Sequence, residues 1–273
     1  MKVKIAMVLR YVILILGGII MLMPFLWMLS TSLKTQPETV KIPPIWIPKQ
    51  LQFSNYIDAF KAAPFAQYFL NSVFVTTVTT VGQLFTSILA AFAFSRLNFY
   101  GKNIIFVIFL GTMMVPVEML IIPNFVTLSK LHLVNTYAAL IVPWLASFFT
   151  VFTLRQNFQS VPDQLYYAAK IDGASDWHYL WHVLVPISKS TITAVTVLQV
   201  IGSWNSFMWP LIVTNSENLR TLPVGLQAFT GDAGTNYAQL MAASTFVILP
   251  MVILYLFLQK YIIAGISKTG LKG

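Results

Sequence analysis

The sequence predicts an all-α protein embedded in a membrane, and three observations lead to this prediction. Of its 273 residues 57% are hydrophobic, only 9% are charged, and the charged residues leave long apolar runs between them. Soluble domains carry about 25% charged residues, so this chain has too few to cover a soluble surface. An apolar run crosses lipid as a helix, because a helix satisfies its own backbone N–H and C=O groups where lipid cannot.

Six nearly charge-free stretches are each close to or above the roughly 20 residues that cross a ~30 Å hydrocarbon core. They cover residues 11–33, 70–95, 104–122, 137–154, 190–216 and 233–259. The one acidic or basic side chain within them is Glu118. We therefore predict six transmembrane helices, an even number that places both termini on the same side.

The distribution of Lys and Arg sets the orientation. Eleven of the 17 Lys and Arg residues fall in the termini and in the loops on their side, and six fall in the opposite loops. Four of those six lie in the long segment 34–69, and long loops weigh little in the positive-inside rule. We predict that both termini are cytoplasmic. The basic residues punctuate apolar runs instead of clustering, so the net charge of +9 does not indicate a nucleic-acid partner.

The long inner loop, residues 155–189, predicts two helices joined by a glycine turn. Ser160 can cap the first helix, Pro162 fits its first turn, and the helix would end near Ile171. The pair Asp172-Gly173 is typical of a turn, because Gly can adopt a positive φ. A second helix follows, capped by Ser175 and ended by Pro186. Its apolar side chains recur at helical spacing: Trp177, Leu180, Trp181 and Leu184.

Two interpretations of this loop remain open from the residues alone. It can be an interfacial hairpin that anchors the bundle, with its Trp side chains in the headgroup region. It can also be a docking surface for a cytoplasmic partner, since the small side chains of Ala168 and Ala169 allow another surface to approach closely.

The loop resembles a known family. Ala168-Ala169 is followed by Gly173 four residues on and by Pro186 thirteen residues later, which resembles the EAA loop of binding-protein-dependent ABC transporter permeases. Four further segments are similar to carbohydrate permeases of the maltose type, in particular to their shorter, six-helix second membrane subunit: FSRLNFYGKN (94–103), SWNSFMWPLIVT (203–214), TLPVGLQAF (221–229) and the C-terminal segment 240–273, which ends in KTGLKG. The resemblance covers nearly the whole chain.

This resemblance implies a type I ABC importer permease fold with a cytoplasmic coupling helix between helices 4 and 5. The coupling loop, which seats in a cleft of the ATPase subunit, would comprise Tyr167, Ala168, Ala169, Asp172, Gly173 and Pro186. Tyr167 stands where the family usually has Glu, and Ser206 stands where the family usually has Asp. A C-terminal tail that reaches the ATPase subunits would comprise Gly270, Leu271, Lys272 and Gly273.

The resemblance also implies partners and a location. We expect a heterodimer with a second permease, two ATPase subunits that bind ATP and Mg, and an extracytoplasmic sugar-binding protein, in a bacterial or archaeal cytoplasmic membrane. No cofactor and no metal would be bound by this chain itself. The expected organisation is a first helix with an extracytoplasmic segment (1–69), a permease domain (70–262) and a cytoplasmic tail (263–273).

Four residues are candidates for a substrate pathway. Glu118 is the charged group within a span and faces either a cavity or the outer headgroups. Ser203 and Asn205 can hydrogen-bond either sugar hydroxyls or neighbouring helices. Trp204 can stack on a sugar ring, although packing is the simpler interpretation.

Other classes of protein are poorly supported. The chain lacks the G-x-x-x-x-G-K-[ST] pattern, because Arg96 occupies the position of the upstream Gly before Gly101-Lys102, so ATP hydrolysis would need a separate subunit. His178 and His182 could share a helix face, but no third metal ligand follows at a fitting spacing. A stand-alone secondary transporter or channel would need more ionisable residues in its spans. A membrane enzyme would need a catalytic constellation, which the sequence lacks.

Overall fold

The computed structural model describes residues 2–231 and 234–267 and is almost entirely helical. The α-helices are Lys2–Ser32, Gln36–Thr39, Ser54–Ala62, Phe65–Arg96, Lys102–Thr112, Ile121–Lys130, Tyr137–Ile141, Phe148–Ser160, Asp163–Ile171, Asp176–Tyr179, Val185–Ile187, Lys189–Trp204, Met208–Val213, Leu222–Gly225 and Tyr237–Ser267. Short 3-10 helices are Val117–Leu120, Val142–Trp144, Glu217–Leu219 and Leu226–Phe229, and Leu180–Leu184 forms a wider π-helical turn. Two two-residue strands, Thr230–Gly231 and Gly234–Thr235, pair antiparallel.

Three continuous helices in the described chain are long and apolar enough to cross a membrane: Leu9–Ser32, Phe65–Arg96 and Tyr237–Phe257. They coincide with three of the predicted spans. Three further pairs of consecutive helices reach the required length and composition only if the two helices of a pair are counted as one span with a sharp bend between them. The described structure therefore holds three to six candidate spans.

The predicted span 104–122 is broken, which corrects the expectation of one straight helix. The helix Lys102–Thr112 ends, and the chain resumes as Val117–Lys130 at an angle of 93°. Pro116 lies in the break with φ −57° and ψ 134°. A proline disfavours the helical conformation of the residue before it and cannot donate a backbone hydrogen bond, so the break falls at its N-terminal side. The second part runs on to Lys130, through residues expected to be a loop.

Two other predicted spans also contain breaks. Residues 137–154 are bent by 41° between Trp144 and Phe148, where Ser147 caps a new helix and accepts a hydrogen bond from the Thr150 N–H. In residues 190–216 the first helix ends at Trp204, and a second short helix follows at Met208–Val213.

The described residues of Met1–Phe65 and Gly225–Val252 form one compact unit. In this unit the end of the first long helix is fixed by Asn55, whose amide donates to the carbonyl oxygens of Ser32 at 2.9 Å and Lys34 at 2.8 Å. Lys34 is fully buried with its ammonium 3.8 Å from the centre of the Trp27 ring, and burial lowers its pKa. These contacts fix the C-terminal end of the first long helix, after which the segment 34–64 begins.

The described residues of Ala66–Val224 and Ile253–Gly273 form the second unit, which contains both sites considered below. One hydrophobic cluster joins the end of helix Phe65–Arg96 to helix Phe148–Ser160 through Phe92, Leu154 and Phe158. A second cluster gathers Leu128, Leu140 and Trp209 from three separate helices. Burial of such side chains contributes about 1.5–3 kcal/mol each, so the two clusters hold the helices of this unit together.

Candidate functional site

The predicted helix–glycine–helix loop is present and forms a closed helical hairpin, residues 163–187. Its first helix ends at Ile171 as predicted, and Gly173 follows with φ +79°. The Gly173 N–H donates to the Lys170 carbonyl at 3.1 Å, and the Ala174 N–H donates to the Ala169 carbonyl at 2.9 Å. This pair of bonds is a Schellman motif, in which the residue after the cap takes a left-handed conformation that suits Gly. The turn is therefore set by local sequence.

The two helices of the hairpin are also joined by side chains. Ser175 caps the second helix as predicted, accepting from the His178 N–H at 3.1 Å. The Tyr166 hydroxyl donates to Asp176 Oδ1 at 2.7 Å, and the Lys170 ammonium lies 2.7 Å from the same oxygen. The hydrogen bonds from Lys170 and Tyr166 lower the pKa of Asp176. Burial and the neighbouring carboxylate raise the pKa of Tyr166 to about 12, so its hydroxyl remains a donor.

The second helix of the hairpin is embedded in the core of its unit. Tyr179, Leu180 and Leu184 are at most 1% exposed and belong to the cluster that contains Phe92, Leu154 and Phe158. Of the predicted apolar stripe, Trp181 packs against the cluster, whereas Trp177 is 57% exposed. A displacement of this helix would therefore disturb the packing of helices Phe65–Arg96 and Phe148–Ser160 directly.

Pro186 does not end this helix, contrary to the sequence prediction. The chain makes a π-helical turn at Leu180–Leu184 and continues as helix to Ile187. A proline clashes with the carbonyl four residues earlier in a regular helix, and a wider turn before it relieves that clash. The next helix, Lys189–Trp204, leaves at 81°, so the corner falls at Ser188. Ser160 is likewise not the cap of the first helix, because the preceding helix runs through it and Pro162 occupies the cap position.

Two arginines tie neighbouring helix ends together, and one of them, Arg96, also reaches the hairpin. Arg96, whose side chain is 4% exposed, donates to the carbonyl oxygens of Phe158 at 2.7 Å and Val161 at 2.6 Å and forms an ion pair with Asp163. Arg155 donates to the Phe94 carbonyl at 3.1 Å. A guanidinium can satisfy several acceptors in one plane, which suits it to such a junction. Arg96 therefore connects the end of the helix Phe65–Arg96 with the first residue of the hairpin.

The predicted coupling residues divide between two faces. Tyr167, Ala168, Asp172 and Gly173 are exposed, and Tyr167 keeps 61% of its surface accessible. Ala169 instead packs against the core cluster. Of the small pair that was expected to admit a partner, only Ala168 is on the outer face. This face also carries apolar surface, because Leu165 is 42% and Ile171 is 85% exposed.

A cavity of about 350 Å³ lies elsewhere in the same unit. Its polar lining residues are Ser72, Thr76, Thr79, Gln83, Gln199, Ser203, Ser206 and Thr221. Its other lining residues are Val75, Val117, Leu140, Trp144, Gly202, Trp209 and Pro210. No Asp, Glu, Lys or Arg is among the residues of the described chain that line it.

One wall of the cavity is held in place by Asn71. This buried amide donates to the carbonyl oxygens of Asn218 at 2.8 Å and Arg220 at 2.9 Å, and it accepts from Gln67 at 2.9 Å and Tyr137 at 2.8 Å. These four hydrogen bonds use the full capacity of an amide side chain. Asn71 therefore fixes the loop that leads to the cavity residue Thr221.

Of the four predicted pathway residues, the structure brings only Ser203 to the cavity. Trp204 is 6% exposed and packs edge-on against Phe69, with ring centres 6.0 Å apart. Glu118 is exposed in the short helix that follows Pro116, next to the lining residue Val117. Asn205 is exposed at the end of its helix. The roles of these residues in transport remain predictions.

Sequence reasoning missed most of the polar lining. Gln83 and Gln199 lie inside predicted spans and carry no charge, so a search for charged groups within spans does not find them. Such amides were the available signal, since polar side chains in a span tend to face protein or a cavity instead of lipid. Trp209 is 4% exposed and donates to the Ala139 carbonyl at 3.0 Å, and it also lines the cavity.

The remaining predicted residues are the histidine pair of the hairpin and the C-terminal tail. His178 and His182 stack with ring centres 4.1 Å apart on the hairpin, and within residues 2–231 and 234–267 no group of three potential metal ligands occurs. The predicted tail contact, Gly270 to Gly273, lies outside the described residues.

Long apolar helices, a hairpin packed into the helix core and a polar cavity within that core define a membrane transport protein. Residues 83–268 match the family described as binding-protein-dependent transport system inner membrane component. The chain belongs to this family and is a permease subunit of that type.

Similar proteins with assigned names match along nearly their whole length. The arabinooligosaccharides transport system permease protein AraQ of Bacillus subtilis is 36% identical over 259 residues, covering 94% of this chain and 92% of AraQ. The sulfoquinovosyl glycerol permease SmoH of Agrobacterium fabrum is 33% identical, covering 92% and 89%. The sn-glycerol-3-phosphate permease UgpE of Pectobacterium atrosepticum is 31% identical, covering 95% of each chain.

Two solved structures share the fold. A chain of a bacterial ABC transporter involved in the import of the acidic polysaccharide alginate superposes with a TM-score of 0.83 at 23% identity, covering 94% of this chain and 96% of that chain. A chain of a bacterial alginate ABC transporter in complex with its pentasaccharide-bound periplasmic protein gives 0.65 at 17% identity, covering 93% and 92%. At these identities the likeness establishes the fold alone.

Proposed function

We propose that this chain is the membrane permease subunit of an ATP-driven ABC importer that translocates a sugar or oligosaccharide delivered by an external solute-binding protein. The observation that carries this proposal is the hairpin of residues 163–187. Its outer face is exposed and partly apolar, while its inner side is packed into the core of the helices. Such an element transmits force from a partner at one face to the helices at the other. Membership of a binding-protein-dependent family favours an importer over a stand-alone secondary transporter or channel.

The exposed face of the hairpin is the proposed seat of the ATPase. Tyr167, Ala168, Asp172 and Gly173 would contact the partner, Ala169 would support them from the inner side, and Pro186, which is exposed, lies at the far end of the second helix. When the ATPase subunits close on ATP, the hairpin moves with them. Because Arg96 holds the start of the hairpin to the end of the helix Phe65–Arg96, that movement reaches this helix without an intervening flexible loop. At Tyr167 the exposed face offers a phenol at the position where the resemblance implies Glu.

The assembly that follows from this proposal has five types of component. Besides this chain it contains a second permease, two ATPase subunits that carry ATP and Mg, the solute-binding protein and the lipid bilayer. The permease itself performs no catalysis and holds no cofactor. The C-terminal residues Gly270, Leu271, Lys272 and Gly273 are proposed to contact the ATPase subunits.

In the proposed topology three spans are the straight helices, the other three are the broken stretches that begin at Lys102, Tyr137 and Lys189, and both termini are cytoplasmic. The membrane is the bacterial or archaeal cytoplasmic membrane. The substrate pathway includes the cavity through Ser203. We include Glu118 because it follows the lining residue Val117 in sequence, and Trp204 and Asn205 because they follow the lining residue Ser203.

Reconstitution tests the proposal. The chain is co-expressed with its neighbouring permease and ATPase genes, purified in detergent and placed in proteoliposomes with the cognate binding protein. We expect a stoichiometric complex and an uptake of labelled sugar that requires both ATP inside and binding protein outside. Uptake by this chain alone, driven by an ion gradient, would contradict the proposal and support a secondary transporter.

A further inference from the structure

We propose that the cavity described above, whose lining residues run from Ser72 to Thr221 along the chain, is a saccharide site of this subunit that accepts uncharged sugars and rejects anionic ones. This inference rests on the proposed function, because it assumes that a sugar passes through the chain. It adds that the permease itself, and not only the external binding protein, discriminates between sugars by charge.

The chemistry of the lining matches a neutral sugar. Amide and hydroxyl side chains both donate and accept hydrogen bonds, as sugar hydroxyls do, and Gln83 and Gln199 place two amides on this cavity. Trp144 and Trp209 lie edge to face at 6.0 Å and provide the apolar surface on which the C–H face of a sugar ring packs. A few placed polar groups on an apolar, aromatic wall are typical of small-molecule pockets of about 300–1,000 Å³.

Three of the polar lining residues also have unused hydrogen-bonding capacity. Three lining residues have a buried side-chain oxygen without a hydrogen-bond partner among the described residues: Thr79 Oγ1, Gln199 Oε1 and Thr221 Oγ1. Thr79 and Thr221 are 4% and 5% exposed. Buried polar atoms in native structures are almost always paired, so these three lining residues carry hydrogen-bonding capacity that no described protein group uses and that a small side-chain rotation could turn to the cavity.

The absence of charge among the described lining residues decides between classes of sugar. A carboxylate, sulfonate or phosphate buried here would have no Lys or Arg to pair with. An unpaired anion at membrane depth is strongly unfavourable, whereas a hydroxyl finds donors and acceptors at every polar lining residue. The cavity therefore suits neutral oligosaccharides better than uronates or glycerol phosphate.

The test is calorimetric binding to the complete transporter in lipid nanodiscs, without binding protein. The probes are arabinotriose, maltotriose, trigalacturonate and sn-glycerol 3-phosphate. We expect the best neutral probe to bind at least about tenfold more tightly than either anion, and Thr79→Val and Thr221→Val each to weaken it about threefold to tenfold. These variants remove a hydroxyl that has no protein partner, so neither is expected to lower the melting temperature.

Thr196→Val is the matched control. Its hydroxyl donates to the Ile192 carbonyl of its own helix at 2.6 Å, and Thr196 does not line the cavity. We expect its sugar affinity to stay within about twofold of wild type. The inference is overturned if an anion binds as tightly as the neutral sugars, if neither cavity variant changes the affinity, or if no probe binds up to about 10 mM.

The same nanodiscs separate this inference from the proposed function. ATP hydrolysis is measured with and without sugar-loaded binding protein. Normal stimulation together with unchanged affinity in the Thr79 and Thr221 variants would refute the saccharide site and leave the importer intact. Sugar binding that depends on Thr79 and Thr221 without any stimulation would refute the importer and leave the saccharide site intact.

Discussion

The Tyr166 hydroxyl donates to Asp176 Oδ1 at 2.7 Å, across the glycine turn that separates the two helices of the hairpin. The Lys170 ammonium lies 2.7 Å from the same oxygen and 5.5 Å from the centre of the Tyr166 ring. The Asp176 carboxylate thus accepts from two residues of the first helix, and Asp176 is itself the first residue of the second helix. The hairpin is consequently a preorganised unit, as an element that transmits movement must be.

We predict that the two donors to Asp176 are energetically coupled. Tyr166→Phe should destabilise the hairpin locally by about 1 kcal/mol, the ordinary net value of a hydrogen bond. Lys170→Met should cost about 0.5 kcal/mol, because that ion pair is more than a third exposed and screened by solvent. Since both act on one oxygen, the double variant should differ measurably from the sum of the single variants. Hydrogen exchange of the amides of residues 172–179 measures these effects, and strict additivity would contradict the shared site.

The hairpin should be insensitive to pH over the neutral range. The pKa of Asp176 is lowered in the folded protein, so its contribution to stability is complete above the ordinary value of about 3.9 and is lost as the pH falls further. The pKa of Tyr166 is raised to about 12, so its contribution is complete below the ordinary value of about 10 and is lost as the pH rises above it. Amide protection of residues 172–179, corrected for intrinsic exchange, should be flat from about pH 5 to 9.

Asp176→Asn is the control for this pH prediction. Its amide removes the titration while retaining one acceptor oxygen, so the loss of protection below about pH 4 should shrink. A step in protection between about pH 5 and 8 in the wild type would show that another group governs the hairpin.

Arg96→Lys should weaken the junction between helix Phe65–Arg96 and the hairpin. A single ammonium cannot serve Asp163 and two carbonyl oxygens with the planar geometry of a guanidinium. Leaving a buried carbonyl unpaired costs about 1–3 kcal/mol, which should lower the melting temperature of the purified complex. ATPase stimulation by the binding protein should fall together with stability. Lys189→Ala, at an exposed residue of the same loop region, should leave both unchanged, and an unaltered Arg96→Lys complex would refute the junction.

Asn71→Ala should destabilise the loop that leads to the cavity. The substitution leaves two partly buried carbonyl oxygens, of Asn218 and Arg220, without their donor, at about 1 kcal/mol each. We expect a clear fall in melting temperature and faster proteolysis within residues 214–222. Asn71→Asp keeps the acceptor oxygens but loses both donated bonds, so it should be no better tolerated than alanine. A fully stable Asn71→Asp would show that the donated bonds contribute little.

The features of the hairpin that could be predicted from the sequence are those determined by residues close to them along the chain. Gly173 and Ser175 act within one helical turn of their own positions, so their turn and cap could be recognised from the chain alone. The continuation past Pro186 could not, because it depends on a wide turn stabilised by the burial of Leu180 and Leu184 in a core built from distant segments. The inward orientation of Ala169 has the same origin.

The long spans show the same division. Composition located the apolar stretches, because the requirement for roughly 20 apolar residues is a property of each segment. The breaks near Pro116 and after Trp204 were not predicted, since prolines are tolerated in straight membrane helices when neighbours satisfy the freed carbonyls. The cavity was not predicted either, because Gln83, Gln199 and Thr221 are far apart in sequence and meet only through packing.

The most direct test of the central claim is ATP hydrolysis by the reconstituted complex carrying Gly173→Asp, measured with and without sugar-loaded binding protein. A Cβ at Gly173 meets no atom within 4 Å, so the substitution strains the left-handed turn and alters its exposed face without an internal clash. Gly101→Asp is the matched control, since Gly101 has φ +78°, its Cβ would make only an ordinary contact with Ile105 at 3.7 Å, and it lies outside the hairpin. The account predicts that Gly173→Asp abolishes stimulation in an assembled complex while Gly101→Asp retains it. Equal stimulation in the two variants would mean that the hairpin only anchors the bundle.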